Sequence, residues 1–206
     1  MSTNTLTAPS RKAAYVARNR AALIVAAQEV FALSGPATTI DEIAHHAGVA
    51  SSTVYKHFST REELFDIAVN TAMESFENDI FSGITEISDP LERLVLPMRK
   101  FLRIQESHPL YARLAQNNFA EITMRLQNPG SLRTNILELA ARGVISSDNI
   151  EARQRNLVAC ISAALGYQLL DPSSTPEDGD IALEVALSML GVSEQVAHRL
   201  THSAMQ

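Results

Sequence analysis

The 206-residue chain has very little cysteine and no long apolar segment. Its single cysteine, Cys160, rules out an internal disulfide and a zinc site built from cysteines. No apolar run approaches the roughly 18 residues that a membrane-spanning helix requires. The basic residues near the N-terminus follow no apolar segment of the secretory type. These absences predict a cytoplasmic protein that does not contact a membrane.

The motifs of common enzymes are also missing. The sequence has no GxGxxG, no P-loop and no recognisable set of nucleophile and base. Cys160 lies in an apolar run, where an inert buried thiol is the simpler interpretation. The alternative, a thiol sensor, predicts that the response is lost in Cys160→Ser. We therefore predict that the protein is not an enzyme and uses no cofactor.

Charge is distributed unevenly along the chain. The sequence carries 17 Lys/Arg and 23 Asp/Glu, a net charge of −6. Residues 1–70 hold 6 residues of each sign, which leaves 11 basic and 17 acidic residues, and the whole net charge, to residues 71–206. This asymmetry fits a nucleic-acid-facing end joined to an acidic body.

Apolar residues recur with helical spacing through most of the chain, and no stretch alternates with the period of a strand. Capping-box patterns open helices at Thr39–Glu42 and Ser59–Glu62. The predicted fold is all-α. It has an N-terminal three-helix head with a helix-turn-helix at residues 1–58, then a helical bundle at residues 59–206, and helix 60–78 connects them. Within the bundle, residues 171–180 are predicted to form a loop.

Residues 38–64, TTIDEIAHHAGVASSTVYKHFSTREEL, carry the helix-turn-helix pattern. Gly48 is expected to make the sharp turn, Val49 to fill the space between the two helices, and Ala44 to permit their close crossing. Short hydrogen-bonding side chains and one cation are left on the outward face, as suits entry into a major groove. That face comprises Ser51, Ser52, Thr53, Lys56 and His57.

This stretch resembles the DNA-binding signature of the TetR/AcrR family of transcriptional regulators. The matching elements are the helix start at Thr39, the IA--AGV core, STVYKHF and REEL. The family's turn usually carries a serine where this chain has Ala50, so Ser51 is a candidate helix cap in its place. Ser52 stands where a small residue such as glycine often precedes the threonine. The resemblance implies a regulator that binds double-stranded DNA.

The same resemblance implies individual DNA contacts. Thr39 would bind phosphate at a helix N-terminus, where the dipole favours anions. Tyr55 and Lys56 would reach the backbone, and Thr53 a base methyl or a phosphate. Arg61 would bind phosphate. The alternatives are half-core packing for Tyr55 and a solvated cation for Arg61.

Four cations near the N-terminus resemble an arm that touches the minor groove or the DNA backbone. The alternative is a solvated tail. These cations are Arg11, Lys12, Arg18 and Arg20.

Histidines do not indicate a metal site in this reading. His45 and His46 are adjacent on a helix, about 100° apart, and cannot chelate one ion from the same face. His57 lies at the end of the second helix of the helix-turn-helix, where its imidazole could donate a hydrogen bond to a DNA phosphate. We predict no metal site.

The resemblance also implies that residues 59–206 bind an effector and form a homodimer. A four-helix interface between two chains is predicted, with small Ala163 and Gly166 permitting close packing; burial within one chain is the alternative. The predicted interface residues are Leu157, Ile161, Ala164, Leu165, Ile181, Val185 and Met189. Flexible and aromatic residues are candidates for lining an effector pocket, with plain core as the alternative. They are Met98, Phe101, Leu102, Tyr111, Leu114, Phe119, Met124 and Tyr167.

The predicted function is a repressor that a small apolar or amphipathic effector releases from a palindromic operator. The alternative is an activator, or a DNA-binding regulator of the same fold that does not repress.

Overall fold

The computed structural model describes residues 10–119 and 130–203. Within these two ranges the chain forms α-helices, short 3-10 turns and connecting loops, without a strand, so the all-α prediction is confirmed. None of the helices in this part of the chain is long and apolar enough to span a bilayer. One expected effector residue, Met124, lies outside the described residues.

Eleven α-helices lie in the described ranges. They are α1 (Arg11–Ser34), α2 (Ile40–His46), α3 (Ser51–Tyr55), α4 (Arg61–Phe81), α5 (Pro90–Leu102), α6 (Ile104–Ser107), α7 (Pro109–Asn117), α8 (Gly130–Ala141), α9 (Ile150–Leu170), α10 (Pro176–Met189) and α11 (Glu194–His202). Two 3-10 turns, Gly35–Ala37 and Ile84–Glu86, precede α2 and α5.

The chain divides into two compact units, Met1–Ala72 and Met73–Gln206, and the division falls within α4. In the first unit the apolar face of α1 packs on α4, where the Phe31 and Phe65 rings meet edge to face at 4.8 Å between centroids. Gln28 donates a hydrogen bond to the Ala68 carbonyl (3.0 Å), which satisfies this buried amide. The α1–α4 contact forms one wall of this unit's core.

Capping sets the starts of α4 and α10, and both differ from the sequence prediction. The Thr60 hydroxyl accepts from the Glu63 amide (3.0 Å), so α4 is capped one residue later than the predicted Ser59–Glu62 box. The Glu63 carboxylate bonds the Ser59 amide (2.6 Å) instead. The predicted loop at 171–180 ends early, because Thr175 and Asp178 form a capping box that opens α10 at Pro176.

A buried carboxylate holds the second unit together. Asp180 on α10 accepts hydrogen bonds from Arg103 (2.9 and 2.5 Å) and from Arg99 (3.2 and 3.5 Å). Arg99 also donates to the Leu200 and Ser203 carbonyls at the end of α11 (3.2 and 2.8 Å). Helices α5, α10 and α11 therefore meet at one ion cluster.

Burial by itself raises the pKa of Asp180, but the hydrogen bonds and charges of Arg103 and Arg99 outweigh it and the pKa is lowered. A carboxyl whose pKa is lowered by folding stabilises the fold above its unfolded pKa. It loses that contribution as the pH falls through the folded pKa.

We predict that Asp180→Asn lowers the free energy of unfolding by about 3 kcal/mol at neutral pH, because it leaves two buried guanidinium groups without their charge partner. The difference from the unsubstituted protein should shrink in acid, where Asp180 itself becomes protonated. Urea denaturation at several pH values measures both effects. Glu177→Gln, an exposed carboxyl on the same helix, is the matched control and should change stability little.

Candidate nucleic-acid interface

The turn between α2 and α3 is built on Gly48. Its φ of +67° is in the left-handed region, which glycine adopts without strain. The Gly48 amide donates to His45 O (3.1 Å) and the Val49 amide to Ala44 O (2.9 Å), the hydrogen bonds of a Schellman motif. Val49 is 37% exposed, so it fills the space between the two helices less completely than predicted.

The side-chain hydrogen bond at the start of α3 is made to a residue of the neighbouring helix α2. Ala50 occupies the cap position and has no side chain to bond the helix. Ser51 is the first helical residue rather than the expected cap, and its hydroxyl donates to the Asp41 carboxylate of α2 (2.5 Å). Asp41 thus ties the two helices together and places negative charge beside the N-terminus of α3, where the backbone amides favour it.

The outward face of α3 and the turn after it is polar, as predicted. Ser52 and Lys56 are exposed, whereas Val54 and Phe58 point into the core. Tyr55 is 56% exposed, and its contact with phosphate remains a prediction. Ser51, Thr53 and His57 are half-buried along the same segment.

Thr39 caps α2 through the predicted capping box. Its hydroxyl accepts from the Glu42 amide (3.2 Å), and its own amide donates to the Glu42 carboxylate (2.7 Å). Thr39 is exposed at this helix end. A phosphate contact there remains a prediction.

Arg61 lies against the core of the first unit, with its side chain 26% exposed. Its Nε donates to the Thr38 carbonyl (2.6 Å), and its guanidinium lies 5.1 Å from the Phe31 ring centroid and 5.9 Å from that of Phe65. The solvated-cation alternative is therefore wrong. Arg61 fastens the beginning of α4 to the segment before α2, and its phosphate contact remains a prediction.

The four N-terminal cations lie on a helix, so the alternative of a solvated tail is wrong, and their contact with DNA remains a prediction. Helix α1 begins at Arg11, capped by the Ser10 side chain, which accepts from the Ala13 amide (3.2 Å). Arg11, Lys12 and Arg18 are exposed. Arg20 is half-buried, with its guanidinium 4.9 Å from the Phe58 ring centroid.

We predict that Gly48→Ala destabilises the first unit by about 1 kcal/mol. A Cβ at positive φ raises the free energy of the folded state, and the reduced conformational entropy of the unfolded chain offsets part of this increase. No atom lies within 4 Å of the added Cβ, so the cost is conformational. Gly143→Ala is the matched control, because Gly143 has φ +68° and equally open space in the second unit. Urea denaturation should show similar losses, and Gly48→Ala alone should lower binding to DNA.

The predicted effector residues divide by burial. Leu102, Tyr111 and Leu114 are buried, and Met98, Phe101 and Phe119 are half-buried. Tyr167 is 57% exposed on α9, so the described structure does not bring it into the same interior. The Tyr167 hydroxyl bonds Asp171, and this bond and the Asp171 charge raise the pKa of Tyr167.

An aromatic residue that the sequence analysis missed organises this interior. Phe76 on α4 stacks on Tyr111 at 5.1 Å, and its ring also meets Phe101 at 5.8 Å and His108 at 5.0 Å. Phe76, Val69 and Ile80 recur with helical spacing in the sequence, which could have indicated that Phe76 is buried, as all three residues are.

Gly166 serves contact within the chain rather than between chains. A Cβ added there would lie 2.8 Å from Cζ of Phe119, so the glycine leaves room for that ring. Ala163, in contrast, is exposed on α9.

The predicted dimer residues also divide. Leu157, Ile161 and Leu165 are buried within the chain, so the alternative of intrachain burial is correct for them. Ala164 and Cys160 are half-buried, with Sγ of Cys160 3.8 Å from Sδ of Met189.

The exposed apolar surface of α9 and α10 is made by other positions. From the predicted set it retains Ile181, Val185 and Met189, and it adds Ala163, Tyr167 and Leu170. We call these six residues the α9–α10 face.

The sequence analysis overlooked one histidine pair. His198 and His202 are four residues apart on α11, and both approach Glu184 of α10. Their H-x3-H spacing could have been recognised in the sequence, because residues four apart lie on one face of a helix.

Comparison with known proteins supports the fold and the helix-turn-helix. Residues 23–67 match the sequence profile of bacterial regulatory proteins of the tetR family. The helix-turn-helix segment of the chain belongs to this family. The TetR-family profile covers α2 and α3 completely, with parts of α1 and α4, so the recognised segment coincides with the candidate interface.

Two curated relatives and one solved structure illustrate the similarity. The repressor KstR2 of Mycobacterium tuberculosis is 36% identical over 104 residues, 48% of this chain and 50% of the relative. The activator FasR of Mycolicibacterium smegmatis is 27% identical over 142 residues, 68% of this chain and 65% of the relative. The crystal structure of RolR with resorcinol matches with a TM-score of 0.71 and 22% identity, over 94% of this chain and 98% of RolR.

The chain spans about half the length of the curated relatives that it matches. The RolR likeness shows the shared fold.

Proposed function

We propose that this TetR-family protein is a DNA-binding transcriptional repressor that a small apolar or amphipathic effector releases from a palindromic operator. The observation that carries the proposal is the exposed polar surface on α3. Ser52, Tyr55 and Lys56 stand out from a helix whose opposite side, Val54, is fully buried. A short helix held on a core by one face leaves its other face for a major groove.

The proposed contacts separate positioning from base recognition. Lys56 would neutralise a phosphate, and the Tyr55 hydroxyl would bond another. Thr53, with a methyl and a hydroxyl, would read a base edge or bind a phosphate. Thr39 would add a phosphate contact at the start of α2.

A homodimer is part of this proposal, because a palindromic operator requires two equivalent heads. The α9–α10 face is an exposed apolar surface on two adjacent helices, and such surfaces mark protein interfaces. Packed on its copy, it would form the four-helix interface that the resemblance implies.

The effector proposal rests on the interior of the second unit. Aromatic side chains gather around Phe76, a composition that suits a small aromatic or apolar molecule. RolR, which has this fold, was solved with the aromatic ligand resorcinol. If effector and DNA favour different conformations of the chain, each weakens the binding of the other by the same factor.

An activator of the same fold is the second candidate, since the relatives include the activator FasR beside the repressor KstR2. Transcript levels of the neighbouring genes in a deletion strain distinguish the two. A repressor predicts that they rise, and an activator that they fall.

For DNA binding, we predict that Lys56→Ala weakens affinity for double-stranded DNA from the region upstream of the protein's own gene. Because one phosphate contact is lost, the slope of log affinity against log salt should fall by about 1. Fluorescence anisotropy at several salt concentrations measures both quantities.

Lys100→Ala, on α5 of the second unit, is the control and should leave the slope unchanged. Failure of the unsubstituted protein to bind this DNA, or an equal effect of the two variants, would contradict the proposed interface.

For assembly, we predict that Val185→Asp converts a dimer to a monomer, because the substitution buries a carboxylate in an apolar interface. Val185 is 54% exposed in the single chain, so the monomer itself should tolerate the change. Light scattering after size exclusion gives the mass. Leu137→Asp, an exposed apolar residue on α8 of the same unit, should leave the dimer intact; dissociation by both variants would argue against the α9–α10 face.

A further inference from the structure

Three potential metal ligands meet where α11 packs on α10. Nδ1 of His198 and Nδ1 of His202 each lie 3.0 Å from Oε1 of Glu184. One ligand atom from each residue lies within 4.8 Å of the other two. The imidazole rings stack with centroids 4.1 Å apart, so both histidines approach the carboxylate from the same face of α11.

Several polar groups converge on one carboxylate oxygen. Oε1 of Glu184 has both imidazoles at 3.0 Å and the Thr201 hydroxyl, which donates to it at 2.9 Å. A cation placed among these groups would draw on the lone pairs of neutral imidazoles and of the carboxylate together.

We propose that Glu184, His198 and His202 form a binding site for a divalent transition metal, with Zn²⁺ the best match. Two imidazoles and one carboxylate are a frequent zinc ligand set, and they leave a fourth position for water. Such a position is accessible here, because the His198 side chain is 63% exposed while that of Glu184 is 21% exposed. Binding requires neutral histidines, and any ring proton displaced goes to solvent.

The surroundings hold the ligands in place before a metal arrives. The Nδ1 atom of His202 lies 3.1 Å from the His198 carbonyl and 3.0 Å from the Thr201 hydroxyl, so its ring is held against α11. Thr201 between them is fully buried. Arg99 binds the Leu200 and Ser203 carbonyls, which anchors the end of α11. A bound metal would therefore join α10 to a helix whose position is already set.

The test uses the full-length chain without a histidine tag, treated with EDTA and dialysed. Calorimetric titration with Zn²⁺ should give one ion per chain, and Co²⁺ in its place should give the visible absorption of a four-coordinate ion. His198→Ala and His202→Ala should each lower the affinity at least about tenfold. Zn²⁺ should also raise the melting temperature of the unsubstituted chain, because it binds the native state.

His46→Ala is the matched control, because His46 pairs with the Glu29 carboxylate (2.6 Å) and the described part of the chain brings no third ligand to them. It should leave Zn²⁺ binding unchanged. Glu184→Gln removes the charged ligand but keeps an oxygen for Thr201, so it serves if a histidine variant fails to fold by circular dichroism.

The proposal is overturned if the unsubstituted chain shows no saturable binding. It is equally overturned if binding persists in His198→Ala, His202→Ala and Glu184→Gln. None of these measurements uses DNA, so their outcome is independent of the proposed repressor function.

Discussion

The second unit depends on a single buried carboxylate. Asp180 satisfies two guanidinium groups at once, and one of these, Arg99, reaches on to the carbonyls that end α11. Because isolated buried charges are unfavourable, the three helices are constrained to meet with this geometry. The same cluster thereby fixes where α10 presents Val185 on its outer side and where α11 presents His198 to Glu184. An ion pair in the interior thus positions two surfaces for which we propose binding.

The first unit is constrained in a different way, through the ends of its short helices. Helix α3 has only five residues and gains little from its own hydrogen bonds. It is held by Val54 and Phe58 in the core, by the backbone bonds at Gly48, and by Asp41. Within the polar outer face Ser51 takes part in this anchoring through its bond to Asp41, whereas Ser52 and Lys56 are exposed and available for a ligand.

The helices and the location of the helix-turn-helix could be predicted because their signals are local. Thr39–Glu42 and Gly48 act within a few residues of the chain, and the structure shows the expected cap and turn. Which side of a uniformly apolar helix faces inward is not a local property. Leu157 and Val185 look alike in the sequence, yet one is buried and the other exposed, since the neighbouring helices decide. The contacts of Arg61 with Phe31 and of Glu184 with His198 join distant segments and were missed for the same reason.

Asp41 influences the placement of α3 although it lies on a different helix. Ala50 before α3 has no side chain that could cap the helix, and the first helical residue, Ser51, bonds the Asp41 carboxylate of α2. The angle and first turn of the recognition helix thus depend on a residue outside it. A substitution at Asp41 can therefore change how α3 is placed without altering any side chain on the outward face of α3.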